Sequence, residues 1–116
     1  MKYIIKYSPD AKEKLIAVNK QITDIAGNVI ANKKVSTIVE TINGLKTNPQ
    51  KGQSVAVLLN IITPYRFLHV EHNYIFYKIS DNVIEIVDIY NEREDFMWKL
   101  FGIKLRTEES KDYWGE

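Results

Sequence analysis

The sequence predicts an α+β domain: a helical hairpin packed on one face of an antiparallel sheet of about four strands, with a short C-terminal helix. Three observations carry that prediction. Apolar residues recur at spacings of three and four through residues 11–25 and again through 35–45. Three runs dense in β-branched and aromatic residues follow between 65 and 90, separated by short polar turns. Ahead of both, an alternating stretch runs straight into a Ser-Pro helix start.

Taken in order, residues 2–7 (KYIIKY) alternate and read as a short strand. Ser8 then serves as an N-cap, Pro9 takes the first helical position, and Asp10 lies in the first turn. Ala11, Leu15, Val18, Ile22 and Ile25 form one apolar stripe, with Lys12, Lys14, Lys20 and Asp24 off it. Gly27 closes the helix. Val35, Ile38, Ile42 and Leu45 repeat the pattern, widened by Val39, until Asn48-Pro49 stops it. Two helices joined by so short a loop pack antiparallel, stripe to stripe, and share a side that covers a sheet.

Residues 46–64 are a connector in which Pro49 and Gly52 set turns. Its SVAVLL segment is either a short strand or a single buried helical turn, which periodicity does not distinguish. YRFLHV, YIFYKI and VIEIVDIY then read as strands, joined by EHN and SDN turns. In the first, Tyr65, Phe67 and His69 share one face, opposite Arg66, Leu68 and Val70. In the second, Tyr74, Phe76 and Lys78 share a face, opposite Ile75, Tyr77 and Ile79. The third is nearly all apolar, as a central strand covered on both faces should be. NERED opens a short helix whose FMWKLF buries aromatics, and Gly102 ends it. This gives a domain over residues 1–102 and an acidic tail over 103–116. The sheet face away from the helices is the candidate working surface.

At 116 residues the chain is long enough for one core without staples. Having no cysteine, it has no disulfide framework and no thiolate metal site, which suits a reducing cytoplasm. No apolar run approaches membrane-spanning length, and the start is too short and too alternating for a signal peptide. Neither a metal nor a cofactor is called for. The formal net charge of +1 removes the global argument for nucleic acid, so any such case rests on local groups. Of the 15 acidic residues, Glu108, Glu109, Asp112 and Glu116 fall in the tail, which leaves the body more basic than the total.

The order of these elements, with these residues, resembles the RelE/ParE superfamily of toxins from type II toxin–antitoxin systems. The carrying features are YIIKYSPDAKEKL, a second helix ending at Leu45 with Pro49 and Gly52 beyond it, and the strand bearing Tyr65-Arg66. They continue with the Tyr74 and Tyr77 pair, the D-N turn, the I-x-I-x-x-I-Y strand, and Arg93 in NERED. The resemblance covers roughly residues 2–101. It implies a cytoplasmic, growth-inhibiting toxin of the kind associated with plasmid stabilisation, neutralised by a cognate antitoxin that lays a helix or strand over the hairpin or sheet.

It also implies one of two activities. RelE-like members cut messenger RNA in the ribosome without a metal, whereas ParE-like members inhibit DNA gyrase. A degenerate, harmless antitoxin-binding chain is a third case. For RNA cleavage the catalytic candidates are Arg66, Arg93 and His69, because the reaction needs phosphate charge neutralised and protons moved. Lys78, Tyr74 and Trp98 are the substrate-binding candidates, as a cation and as stacking surfaces. Arg66, Arg93 and His69 are expected to converge on one sheet face, and on that ground metal-independent RNA cleavage is the leading activity, with gyrase inhibition close behind. Departures from the RelE-like pattern favour the gyrase alternative: Ile75 stands where an arginine is typical, Leu68 and Val70 where further lysines are, and Trp98 where a tyrosine is.

Overall fold

The computed structural model describes residues 3–94. The expected aromatic helix from Phe96, Trp98 within it, and the boundary at residues 102 and 103 lie outside the described residues.

The chain opens with strand β1 (Ile4–Tyr7) and continues into helices α1 (Pro9–Ala26) and α2 (Asn28–Asn43). Helix α1 begins as the sequence dictates. Ser8 Oγ accepts the Ala11 backbone N–H at 3.0 Å, and Pro9, which has no N–H to lose, is the first helical residue. One residue, Gly27, forms the whole loop to α2. Its φ of 91° is what lets two helices reverse across a single peptide unit, and its N–H closes α1 on the Thr23 carbonyl. A 3-10 turn at Gly44–Lys46 ends the hairpin.

The connector then makes a two-residue strand β2 (Gln53–Ser54) and a five-residue helix α3 (Val55–Leu59). The segment that periodicity left open is thus helical, with Ser54 Oγ accepting the Val57 N–H at 3.3 Å. Strands β3 (Arg66–Val70), β4 (Asn73–Ser80) and β5 (Val83–Asn91) form the meander.

The sheet has five strands in the order β1-β5-β4-β3-β2. It is antiparallel except at β1, which pairs parallel to β5 with Ile4 opposite Val83 and Tyr7 opposite Ile86. The reason is topological. The helical hairpin and connector carry the chain across one face before the meander starts, so β5 returns beside β1 in the same direction.

The helix-side core holds Ala11, Ile38, Ile42 and Leu45 of the helical layer against Leu68, Ile75, Tyr77, Ile84, Ile86 and Ile89 of the sheet. A second cluster, Val55, Phe67, Phe76 and Tyr90, occupies the opposite face. Strand β5 contributes to both because of a bulge. Tyr77 pairs with Ile86 but Phe76 pairs with Asp88, so Val87 is an extra residue. The bulge moves the apolar set from even to odd positions, and it turns Asp88 and Tyr90 away from the helices. Ser8 donates to the Val87 carbonyl at 2.6 Å and so satisfies the bulged residue. One member of the predicted α1 stripe is not core: Ile25, at the helix end beyond the sheet, is 87% exposed.

Candidate functional site

The predicted site residues fall in three separate places. Alternation along β3 puts Arg66 on the side of Leu68 and Tyr77, under the connector, and His69 on the other. Arg66 Nη2 donates to the Gly52 carbonyl at 2.7 Å and the Gln50 carbonyl at 3.0 Å. Tyr77 works beside it: its hydroxyl donates to the Pro49 carbonyl at 2.8 Å and accepts the Gly52 N–H at 3.0 Å. Gly52 is required there, because an added Cβ would lie 2.6 Å from both the Phe67 carbonyl oxygen and the Tyr77 hydroxyl. Arg66 and Tyr77 therefore pin the connector onto the sheet. Two carboxylates near β3 and β4 are engaged elsewhere: Glu71 pairs with Lys34 at 3.0 Å, and Glu85 with Lys78 at 3.4 Å.

His69 is on the open face, where its ring stacks on Tyr74 with centroids 4.7 Å apart. Tyr74 in turn meets Phe67 edge-on at 5.6 Å. The partner that decides the chemistry of His69 is Glu92, which sequence reasoning missed. Its Oε1 lies 2.8 Å from His69 Nε2 and its Oε2 lies 3.2 Å from His72 Nδ1. The Glu92 N–H also bonds the His72 carbonyl at 2.9 Å, tying the chain after β5 to the β3–β4 turn. These contacts, led by the His69 hydrogen bond, hold the Glu92 carboxyl below its usual range. With the proton of His69 on Nε2, Nδ1 is its acceptor nitrogen. No pattern within one segment marks this contact; it follows from the strand pairing, in which Asn73 opposes Asn91, so that the residue after Asn91 lands beside the turn that carries His72.

Lys78 shares this face but pairs with Glu85 across the strands. Arg93 is elsewhere. Its N–H bonds Asn91 Oδ1 at 3.0 Å, and its side chain lines a groove between α1 and the end of β5. The structure thus brings His69, Tyr74 and Lys78 to one face and separates them from Arg66 and Arg93.

A second polar network, also missed, sits where β1 ends. β1 pairs only as far as Ile86, so among the described residues no strand covers the next residues of β5. Lys14 reaches around that edge from α1, to 3.0 Å from Asp88 Oδ1 and 3.3 Å from the Ile89 carbonyl, with its Nζ 4.0 Å from the Tyr90 ring centroid. Asp88 accepts the Ile89 N–H at 2.9 Å and the Tyr90 hydroxyl at 2.7 Å. Four groups thereby close an exposed sheet edge. Among the described residues, no three His, Asp or Glu side chains are arranged to hold a metal ion, and no helix is long and apolar enough to cross a membrane.

A family model for the ParE toxin of the type II toxin–antitoxin system parDE matches residues 5–96. This chain belongs to the ParE toxin family. The match spans every described element from β1 to the end of β5, so the helical hairpin, the connector and the meander are all parts of the ParE toxin fold. Among solved structures, one from the chromosomal ParDE toxin–antitoxin system of P. aeruginosa superimposes with a TM-score of 0.65 at 21% identity, covering 77% of this chain and 95% of that one. At that identity the likeness concerns the fold. No curated protein matches the chain.

Proposed function

We propose that this ParE-family chain inhibits growth by holding a protein target, in the manner by which the ParE-like branch blocks DNA gyrase, and that a cognate antitoxin from the neighbouring gene neutralises it in the cytoplasm. The observation that carries this reading is the dispersal of the basic groups. Metal-free RNA cleavage needs a phosphate clamp beside its acid and base. Here Arg66 is spent on the carbonyls of Gln50 and Gly52, and Arg93 lies along a different groove from His69. Lys78, the predicted substrate-binding cation on the same face as His69, is paired with Glu85.

The test is induction of the chain in a bacterial host, with transcript ends mapped and DNA damage signalling followed. Intact transcripts, rising damage signalling and inhibition of supercoiling by purified gyrase are expected. New transcript ends without any effect on gyrase would overturn the reading.

RNA cleavage is the second reading, favoured by the His69–Glu92 contact of 2.8 Å beside the Tyr74 ring. Such a pair orients a proton-transfer group. On this reading, His69→Gln abolishes transcript cleavage while the chain stays folded and still binds its antitoxin.

A further inference from the structure

The sheet face away from the hairpin is drier than its described cover explains. Phe76 stands on that face in the middle strand, β4, and is 1% exposed; Tyr90 beside it on β5 is 5% exposed. The rings of Phe67, Tyr74 and Tyr90 lie 5.8, 6.5 and 6.1 Å from the Phe76 ring and shield its flanks. They rise from the same sheet, so they do not cap its outer end. Lys14 reaches the Tyr90 ring from the β1 edge of the sheet. Helix α3 rests mainly on β2 and β3, and among the described residues it is the only helix on this side. The burial is a property of the chain alone, so the missing cover belongs to the chain.

Residues 95–116 are the chain that remains, and they begin at the right place. Glu92 meets His69 and His72 at the β3–β4 end of this face, two residues before Glu94. Just beyond comes FMWKLF, from Phe96 to Phe101, in which Lys99 is the sole polar residue. A helix that is apolar on nearly every side needs cover on more than one of them. Six helical residues span about 9 Å, and the path along β4 from Tyr74 to Lys78 is about 13 Å. The segment is therefore long enough to cover Phe76 and short enough to stay on the face.

We propose that Phe96–Phe101 docks on this face across β4 and β5 and caps Phe76 and Tyr90 with its aromatic side chains, Trp98 among them. The face then takes its own chain and not a polynucleotide, because bases have no access to the row of Phe67, Phe76 and Tyr90 on which they would stack. What stays open is the border, where the His69 side chain is 48% exposed beside Glu92. Trp98 serves as part of a second core layer, not as a platform for substrate. This docking is the same whichever target the toxin meets.

The full-length chain suits a fluorescence test, since it has no cysteine and only two tryptophans, Trp98 and Trp114. The background is Trp114→Phe, which leaves Trp98 alone. A bimane label, which tryptophan quenches only at short range, is attached to Lys78→Cys, two residues along β4 from Phe76 and on its face. The control label is on Lys33→Cys, exposed on α2 in the helical layer. Each variant is first shown to be folded by circular dichroism. Adding Trp98→Phe is expected to brighten the label at Lys78→Cys several-fold and to leave the label at Lys33→Cys unchanged. No brightening at Lys78→Cys, or equal brightening at both, overturns the proposal. Quenching that is lost on dilution also overturns it, since the segment then comes from a second copy. Acrylamide quenching of Trp98 needs no further variant. It is expected to be several-fold weaker in the folded Trp114→Phe chain than in urea, and equal quenching overturns the docking.

Discussion

Arg66 shows how one side chain changes meaning once its face is known. Its position in the sequence suits a phosphate contact, but in the fold its guanidinium holds two carbonyls of the connector. Replacing it should therefore cost stability. Arg66→Gln is expected to lower the unfolding free energy by about 1–2 kcal/mol, the scale of hydrogen bonds from a charged donor. Urea denaturation checks this, and an unchanged midpoint would return Arg66 to the candidates for substrate contact. Gly52 bears on the same point more severely. An added methyl there meets backbone and the Tyr77 ring, so Gly52→Ala is expected to cost about 2–3 kcal/mol. Glu92 is the complementary case, an exposed residue defined by its partners. Its folded carboxyl is held below its unfolded value by His69 and His72. That contribution is present above the unfolded carboxylate range and is lost as pH falls through the lower folded value. Glu92→Gln should flatten the acid limb of the stability profile below about pH 4.5, measured as urea midpoints between pH 3 and pH 6.

At the scale of elements, the β3–β4 turn has a conformation that its residues do not prefer. Glu71 and His72 both hold positive φ, 50° and 64°, as a type I′ turn requires. Neither is glycine or asparagine, and such backbone costs about 1–2 kcal/mol per residue. Lys34 and Glu92, which bind their side chains, offset part of it. The double change Glu71→Asn with His72→Gly places the favoured Asn-Gly pair in the turn and removes both contacts. A net gain of about 1 kcal/mol is expected, because exposed ion pairs contribute less than the relieved strain, and thermal unfolding decides the sign. The same turn marks where the sequence stops being legible. The expected EHN turn included Asn73, but Asn73 is strand and nearly buried, because register across Val70 leaves only two residues to turn. Both helices, the Ser8 cap and Gly27 stop of α1, and the three meander strands were readable, since each rests on spacing within one segment, whereas α2 ends at Asn43, short of the expected Asn48-Pro49 stop. The parallel place of β1, the bulge at Val87 and the Glu92 contact were not. Each depends on which distant segment arrives alongside, and the slip from Ile86 to Ile89 is visible as a bulge only against a pairing partner.

At the scale of the whole molecule, the described strands leave the end of β5 uncovered beside β1, and the closure of that edge links the fold to pH. Past Ile86, the edge of β5 is guarded by Lys14, Asp88 and Tyr90, which join α1 to the sheet around the side rather than through the core. Burial raises the Tyr90 phenol well above its ordinary 10.0, and the hydrogen bond and negative charge of Asp88, with Glu94 and Asp10, add to this. Burial also raises Tyr7, at the end of the strand that leaves the edge open. A folded phenol that keeps its proton more tightly than the unfolded one stabilises the fold fully below the unfolded value. That stability is lost as pH rises from there towards the folded value. The chain should therefore lose stability steadily above about pH 10. Tyr90→Phe keeps the ring against Phe76 and under Lys14 but gives up the titrating hydroxyl. It is expected to be slightly less stable than wild type at pH 8 and to decline less steeply between pH 10 and 11.5. Urea midpoints across that range measure the slope. Equal slopes in the two proteins would mean that the edge opens before Tyr90 ionises, so that Lys14 and Asp88 alone close it.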